Sequence, residues 1–174
     1  MNLFKNVKIL IAADGGAASG KTTGSKQLSK NFGLKLLSSG LLYRYVSLRL
    51  LSNKKKINKK TFITKITKNI SLKQLKNKKL FDPEVTKYSA VIAKSKMIRL
   101  SLRKFQKNFA KQQRVCIEGR DIGTVICPKA DIKLFFKCSL NVRALRRLKE
   151  YRKNNKKISL NEVKKSLKTR DYHD

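Results

Sequence analysis

Acidic residues are scarce in this sequence. Only 10 Asp and Glu stand against 44 Lys and Arg in 174 residues, a formal net charge of +34. An excess of that size points first to a nucleic-acid surface. The lysines are spread over most of the chain, however, with local clusters at 54–56 and 156–157. Lysine, asparagine and isoleucine are the residues that AT-rich codons supply, so genome bias accounts for the charge, and no nucleic-acid partner is expected. A cationic cleft would still draw in phosphorylated molecules and speed their encounter. Histidine occurs once, as His173, and reads as a solvated side chain. The three cysteines, Cys116, Cys127 and Cys138, are odd in number and form no C-x-x-C pair. That pattern argues against a disulfide frame and against a zinc site. Cys116 and Cys138 lie in or at the end of apolar runs and read as small core residues. No apolar run reaches the roughly 18 residues of a membrane span. The first ten residues lack a separate apolar region and a small-residue cleavage site, so no signal peptide is read and a cytoplasmic location is the default.

What is present suits one domain with a real core: 40% of the residues are hydrophobic. The run Val-Lys-Ile-Leu-Ile-Ala at 7–12 reads as a buried parallel strand. A helix is expected over 19–31, with Leu28 and Phe32 on its inner side. A short strand follows at 34–37, then a helix over 41–51 with Leu42, Val46 and Leu50 at helical spacing. The basic stretch 54–79 gives no clear assignment. The stretch 84–112 reads as one helix, with Pro83 suited to its first turn. Strands are expected at 115–117 and 132–136. A helix over 141–151 would be capped by Ser139 or Asn141. Another over 159–168 opens on Ser159-x-x-Glu162, a capping-box pattern. Alternating strands and helices imply an α/β fold with a central parallel sheet flanked by helices.

Between the first strand and the first helix lies Gly15-Gly16-Ala17-Ala18-Ser19-Gly20-Lys21-Thr22, a full match to G-x-x-x-x-G-K-[ST]. Glycines there let successive N–H groups turn inward onto a phosphate, and the helix N-terminus adds to the anion site. Lys21 is placed to reach the β- and γ-phosphates of a nucleotide, and Thr22 to offer a hydroxyl to Mg²⁺. Together with Thr23, this segment is the expected ATP site.

Three more segments follow in order: Ser39-Gly40-Leu41-Leu42-Tyr43-Arg44, then Glu118-Gly119-Arg120-Asp121-Ile122-Gly123-Thr124-Val125, then Lys168-Thr169-Arg170-Asp171 with Asp174. With the phosphate loop, they resemble bacterial cytidylate kinases over nearly the whole chain, the G-R-D-I-G-T-V run being the most specific. The resemblance implies a P-loop nucleoside monophosphate kinase that phosphorylates CMP or dCMP with ATP and Mg²⁺. It implies that Arg44 and Arg120 hold the α-phosphate of CMP, where guanidinium forks suit phosphate oxygens. Asp121 would accept from the cytosine N4 amino group and repel the uracil carbonyl. Arg99 would donate to the base, and Ser39 would touch the nucleotide. Arg170 would reach phosphate and Asp174 the ribose. Arg143, Arg146, Arg147 and Arg152 would belong to a mobile lid whose arginines neutralise the phosphoryl group in flight. Of these, Arg147 joins Lys21, Arg120 and Arg170 as an expected catalytic group. Glu118 and Asp14 compete for the role of the acid that orients Mg²⁺.

The expected domain is single, with a core at 1–52 and 113–140, a reduced nucleotide-binding insert at 53–112 and a lid region at 141–174. The chain departs from the family in several places: Gly16 stands where the family usually has proline, Ser38 replaces an acidic residue that commonly precedes the S-G segment, the stretch 69–84 is short, and relatives continue past position 174 with another arginine, a strand and a helix. A monomer without membrane association is expected. Two other readings remain open at this point: a P-loop kinase for another small molecule, and a basic RNA-binding protein with a vestigial nucleotide site.

Overall fold

In the computed structural model, which describes residues 7–54, 59–153 and 158–172, a parallel sheet of four strands runs in the order β2-β3-β1-β4. The two central strands are β1 (Ile9–Gly15) and β3 (Arg114–Gly119). They read Ile-Leu-Ile-Ala-Ala-Asp-Gly and Arg-Val-Cys-Ile-Glu-Gly, and most of their residues are buried. A strand covered on both faces must be apolar nearly throughout. The exceptions, Asp14 and Glu118, stand at the carboxyl ends, the edge where open α/β sheets bind ligands.

Helix α1 (Lys21–Phe32) leaves β1 through the phosphate loop. Its inner face is only in part the one the sequence suggests. Ser25 and Ser29 face the sheet around the buried Cys116, Leu28 is half-buried, and Phe32 is 56% exposed. Small side chains on this face let the helix lie close to the strands. Beyond β2 (Lys35–Ser38), α2 (Ser39–Ser52) buries Leu42, Val46 and Leu50 as their spacing predicts.

The unassigned basic stretch forms α3 (Lys60–Lys68), with Ile63 and Ile66 inward, and two short 3-10 turns that bury Leu75 and Leu80. The single helix expected over 84–112 is two, α4 (Pro83–Ile92) and α5 (Lys96–Ala110). The break has a cause in the sequence: the Ser95 hydroxyl accepts from the Ile98 N–H and caps a new helix. After β3, a π-helical turn (Ile122–Ile126) leads to β4 (Ile132–Phe136).

Two helices complete the described chain, α6 (Leu140–Lys153) and α7 (Leu160–Tyr172). Ser139, not Asn141, caps α6 by accepting from Val142 N–H. The capping box of α7 forms in both directions: Ser159 N–H donates to Glu162 at 2.8 Å, and Glu162 N–H donates to the Ser159 hydroxyl at 3.2 Å. The main core joins α2 to α5 with one face of the sheet. A separate small cluster, Ala144, Leu148, Val163 and Leu167, zips α6 to α7 and takes in Ala17 of the phosphate loop. Among the described residues no helix is long and apolar enough to cross a membrane.

Candidate nucleotide-binding site

The phosphate loop takes the shape its residues permit. Gly20, at φ 95°, turns the chain into α1 through the left-handed region, where a side chain would be strained. Lys21 folds back to donate to the Gly16 carbonyl at 3.2 Å. Burial pushes its ammonium below the ordinary lysine range, and the Glu118 carboxylate pushes it back. Thr22 donates its hydroxyl to the Glu118 carboxylate at 2.9 Å. Glu118 itself is nearly inaccessible and stands at the carboxyl end of β3, one residue before its last.

Asp14 is engaged otherwise. Its two carboxylate oxygens accept from Ile122 N–H at 2.8 Å and Gly123 N–H at 2.7 Å. The carboxylate therefore caps the π-helical turn and fixes the strand that carries the phosphate loop to the segment that carries Arg120 and Asp121. Asp14→Ala would strand two buried donors. Each unsatisfied donor costs on the order of 1–3 kcal/mol, so urea unfolding should register a loss of roughly 2–4 kcal/mol. A loss well under 1 kcal/mol would show that the turn holds its place without this acid.

On the opposite side, Arg99 donates to Asp121 at 2.8 Å, an ion pair with both partners partly exposed. Only one carboxylate oxygen, Oδ2, is engaged by this contact. Ser39 is buried and accepts from Gln106 at 2.7 Å. The Arg44 guanidinium lies over the ring of Phe81, 5.1 Å from its centre.

Between these two sides the arginines converge. Burial pushes Arg120 down to about 10, with the Arg170 charge next in weight. Arg44 is lowered by burial and then by Arg147 and Arg170. Arg170 keeps part of its surface in solvent, yet the surrounding protein and then Arg147 lower it too. Arg147 pairs with Glu150 at 2.7 Å and lies against Tyr151. Guanidinium groups crowded until their acidity rises are poised for a polyanion, which would relieve the repulsion. One cleft of about 2330 Å³ runs from the phosphate loop past these arginines to Arg99 and Asp121. Sites for one small ligand measure roughly 300–1,000 Å³, so this cleft has room for two nucleotides.

The structure thus gathers Lys21, Thr22, Ser39, Arg44, Arg99, Glu118, Arg120, Asp121, Arg147 and Arg170 around one cleft. Asp174 lies outside the described residues. Arg143 and Arg146, expected in the lid, reach the phosphate loop and donate to the carbonyls of Ala17 and Ala18, and Arg146 also lines the cleft. Three cleft residues escaped the sequence reading. Gln106 had a signal, a polar residue four positions after Leu102 on the buried face of α5. Tyr43 stood inside a quoted motif, and burial pushes its hydroxyl above the ordinary tyrosine range. Phe81 gave no signal, because it closes a turn and no helical or strand period includes it.

Residues 11–174 match the family model described as cytidylate kinase. A protein named cytidylate kinase from Fusobacterium nucleatum is 34% identical over 176 aligned residues, covering 95% of this chain and 81% of that one. Proteins of the same name from Acidiphilium cryptum and Thermosipho melanesiensis are each 37% identical, covering 95% and 94% of this chain and 78% and 79% of theirs.

Proposed function

This chain belongs to the cytidylate kinase family, and on that premise we propose that it transfers the γ-phosphoryl group of ATP to CMP or dCMP, releasing ADP with CDP or dCDP. The observation that carries the proposal is the continuity of the cleft, with Lys21 at one end and the Arg99–Asp121 pair at the other. Donor and acceptor would meet head to head between them.

Such a transfer asks little covalent chemistry of the protein; positioning and charge do most of the work. The loop from Gly15 to Thr23 would cradle the ATP phosphates, with Lys21 on the β- and γ-phosphates. Arg44, Arg120 and Arg170 would grip the acceptor's α-phosphate and leave its terminal oxygen facing the donor. Stacking on Phe81 holds the Arg44 plane, which matters for a fork that must meet two oxygens at once. Arg147, on α6, would reach the charge as it spreads over the transferring group. Asp121 and Arg99 would read the base edge, Ser39 would touch the nucleotide, and Asp174 would accept from the ribose.

Thr22 and Glu118 are hard oxygen donors one hydrogen bond apart beside Lys21, a set that fits Mg²⁺. Among the described residues no cluster of three or more metal-ligating side chains gathers. A set this small suits an ion that keeps waters and takes substrate phosphates as ligands. Bound there, Mg²⁺ would neutralise charge between the phosphates. With both Asp14 oxygens occupied by backbone donors, Glu118 is the better partner for the ion.

The division into core, insert and lid goes with this proposal, as do a cytoplasmic location and a monomeric state. The RNA-binding and other-substrate readings are not favoured, since the family match takes in the acceptor-side residues as well as the phosphate loop. The test is ADP release with Mg²⁺ and ATP, in the presence of CMP, dCMP, UMP or AMP. CMP or dCMP should give by far the highest kcat/KM. No CMP-dependent release would overturn the proposal, and equal rates with UMP would overturn the role of Asp121.

A further inference from the structure

Among the described residues, the helices α6 and α7 pack chiefly on each other and make only slight contact with other helices and strands. Their attachment runs through the phosphate loop. Ala17, almost fully buried, inserts its methyl group among Ala144, Leu148, Val163 and Leu167, the residues that zip the two helices together. Around that plug, Arg143 of α6 donates to the Ala17 carbonyl at 3.3 Å and to Asp171 of α7 at 2.6 Å. One guanidinium therefore ties both helices to the same peptide of the loop. The pair leaves no room beside it. A Cβ at Gly16 would come within 2.6 Å of Arg143 Nη1 and 3.1 Å of Asp171 Oδ1. A side chain at position 16 would press on the end of Arg143, and the pair would have to shift to admit it.

We infer that Gly16, Ala17, Arg143 and Asp171 form a latch that fastens the α6–α7 hairpin to the phosphate loop and holds the loop in its ATP-binding shape. Arg143 and Asp171 are positioning residues in this arrangement. They act through the Ala17 peptide, while Arg147 and Arg170, on the same two helices, face the cleft. The loop is held from outside by a charge-assisted hydrogen bond and a buried methyl group.

The inference rests on the kinase proposal for its biological meaning, but its test does not need turnover. Mg-ATP affinity is measured by calorimetry for the full chain and for Arg143→Met, Asp171→Asn and the double variant. Each single change should weaken Mg-ATP about tenfold, the scale of one charge-assisted hydrogen bond. The double variant should lose no more than the worse single one, because both act through one contact. Gly16→Ala, which removes no charged group, should give a similar loss and add nothing to Arg143→Met. In turnover assays KM for ATP should rise while KM for CMP stays within about twofold. Losses that multiply in the double variant, unchanged Mg-ATP affinity, or an equal loss for CMP would overturn the latch. Thermal melts separate the latch from collapse of the fold, and Gly16→Ala keeps the test readable if a charge variant fails to fold. Wild-type protein that binds Mg-ATP but shows no CMP-dependent turnover would sink the kinase proposal alone.

Discussion

Lys21→Met should lower kcat for CMP phosphorylation by about a thousandfold or more, the scale seen when a preorganised charge or donor is taken from a developing anion. Methionine nearly matches the length and volume of the lysine stem, so the change removes charge and little packing. What is lost is the ammonium that folds against the Gly16 carbonyl and faces the phosphate position. Stability should move the other way or not at all. Burial penalises this ammonium, as the lowered pKa records, and the Glu118 carboxylate, with a smaller share from Asp14, offsets only part of the penalty. Replacing a buried charge with an apolar side chain often leaves stability equal or higher. A melting temperature unchanged or raised, beside lost turnover, would separate chemistry from folding. Turnover within about tenfold of wild type would mean that the ATP phosphates are held elsewhere.

Sequence patterns anchored to one contiguous loop proved the most legible part of this protein. The phosphate loop falls between the strand and helix its motif demands, and Leu42, Val46 and Leu50 turn inward together because a helix repeats every 3.6 residues. The capping box at Ser159 and Glu162 is local chemistry and forms as read. Contacts between distant segments were not legible in the same way. Nothing near position 14 announces that Asp14 will cap a turn more than a hundred residues later, which is why it competed with Glu118 as a metal partner. The Arg143–Asp171 pair depends on two helices meeting at Ala17, and a lid role was the natural expectation for an arginine in that stretch. The inner face of α1 was misjudged for a related reason. Hydrophobicity favours Phe32 beside the half-buried Leu28, but the sheet selects Ser25 and Ser29 where the helix must approach closely and leaves Phe32 exposed. Ser95 shows the opposite case: a capping residue was visible in 84–112, yet the apolar period on both sides of it was read straight through.

The second large effect concerns base choice. Cytosine presents an N4 amino donor where uracil presents a carbonyl oxygen. Asp121 offers a carboxylate that can only accept when ionised, and Arg99 holds one of its oxygens at 2.8 Å. The pair orients the group so that Oδ1 remains for a ligand. A uracil oxygen set against that carboxylate would be repelled and left without a donor. Sites that read a polar group in this way reject the wrong partner far more strongly than an apolar pocket can. Asp121→Asn changes that logic with almost no change in shape, since an amide both accepts and donates. For this variant kcat/KM with CMP should fall about a hundredfold, UMP should hold or improve, and the CMP-to-UMP ratio should narrow by about two orders of magnitude or more. Arg99→Met should act in the same direction but less strongly, because it frees the carboxylate to turn without removing it. Steady-state rates with both nucleotides at saturating ATP decide the matter. A ratio that stays at its wild-type value in Asp121→Asn would place base recognition on other residues of the cleft, with Arg99–Asp121 reduced to a pair that merely ties α5 to the turn after β3.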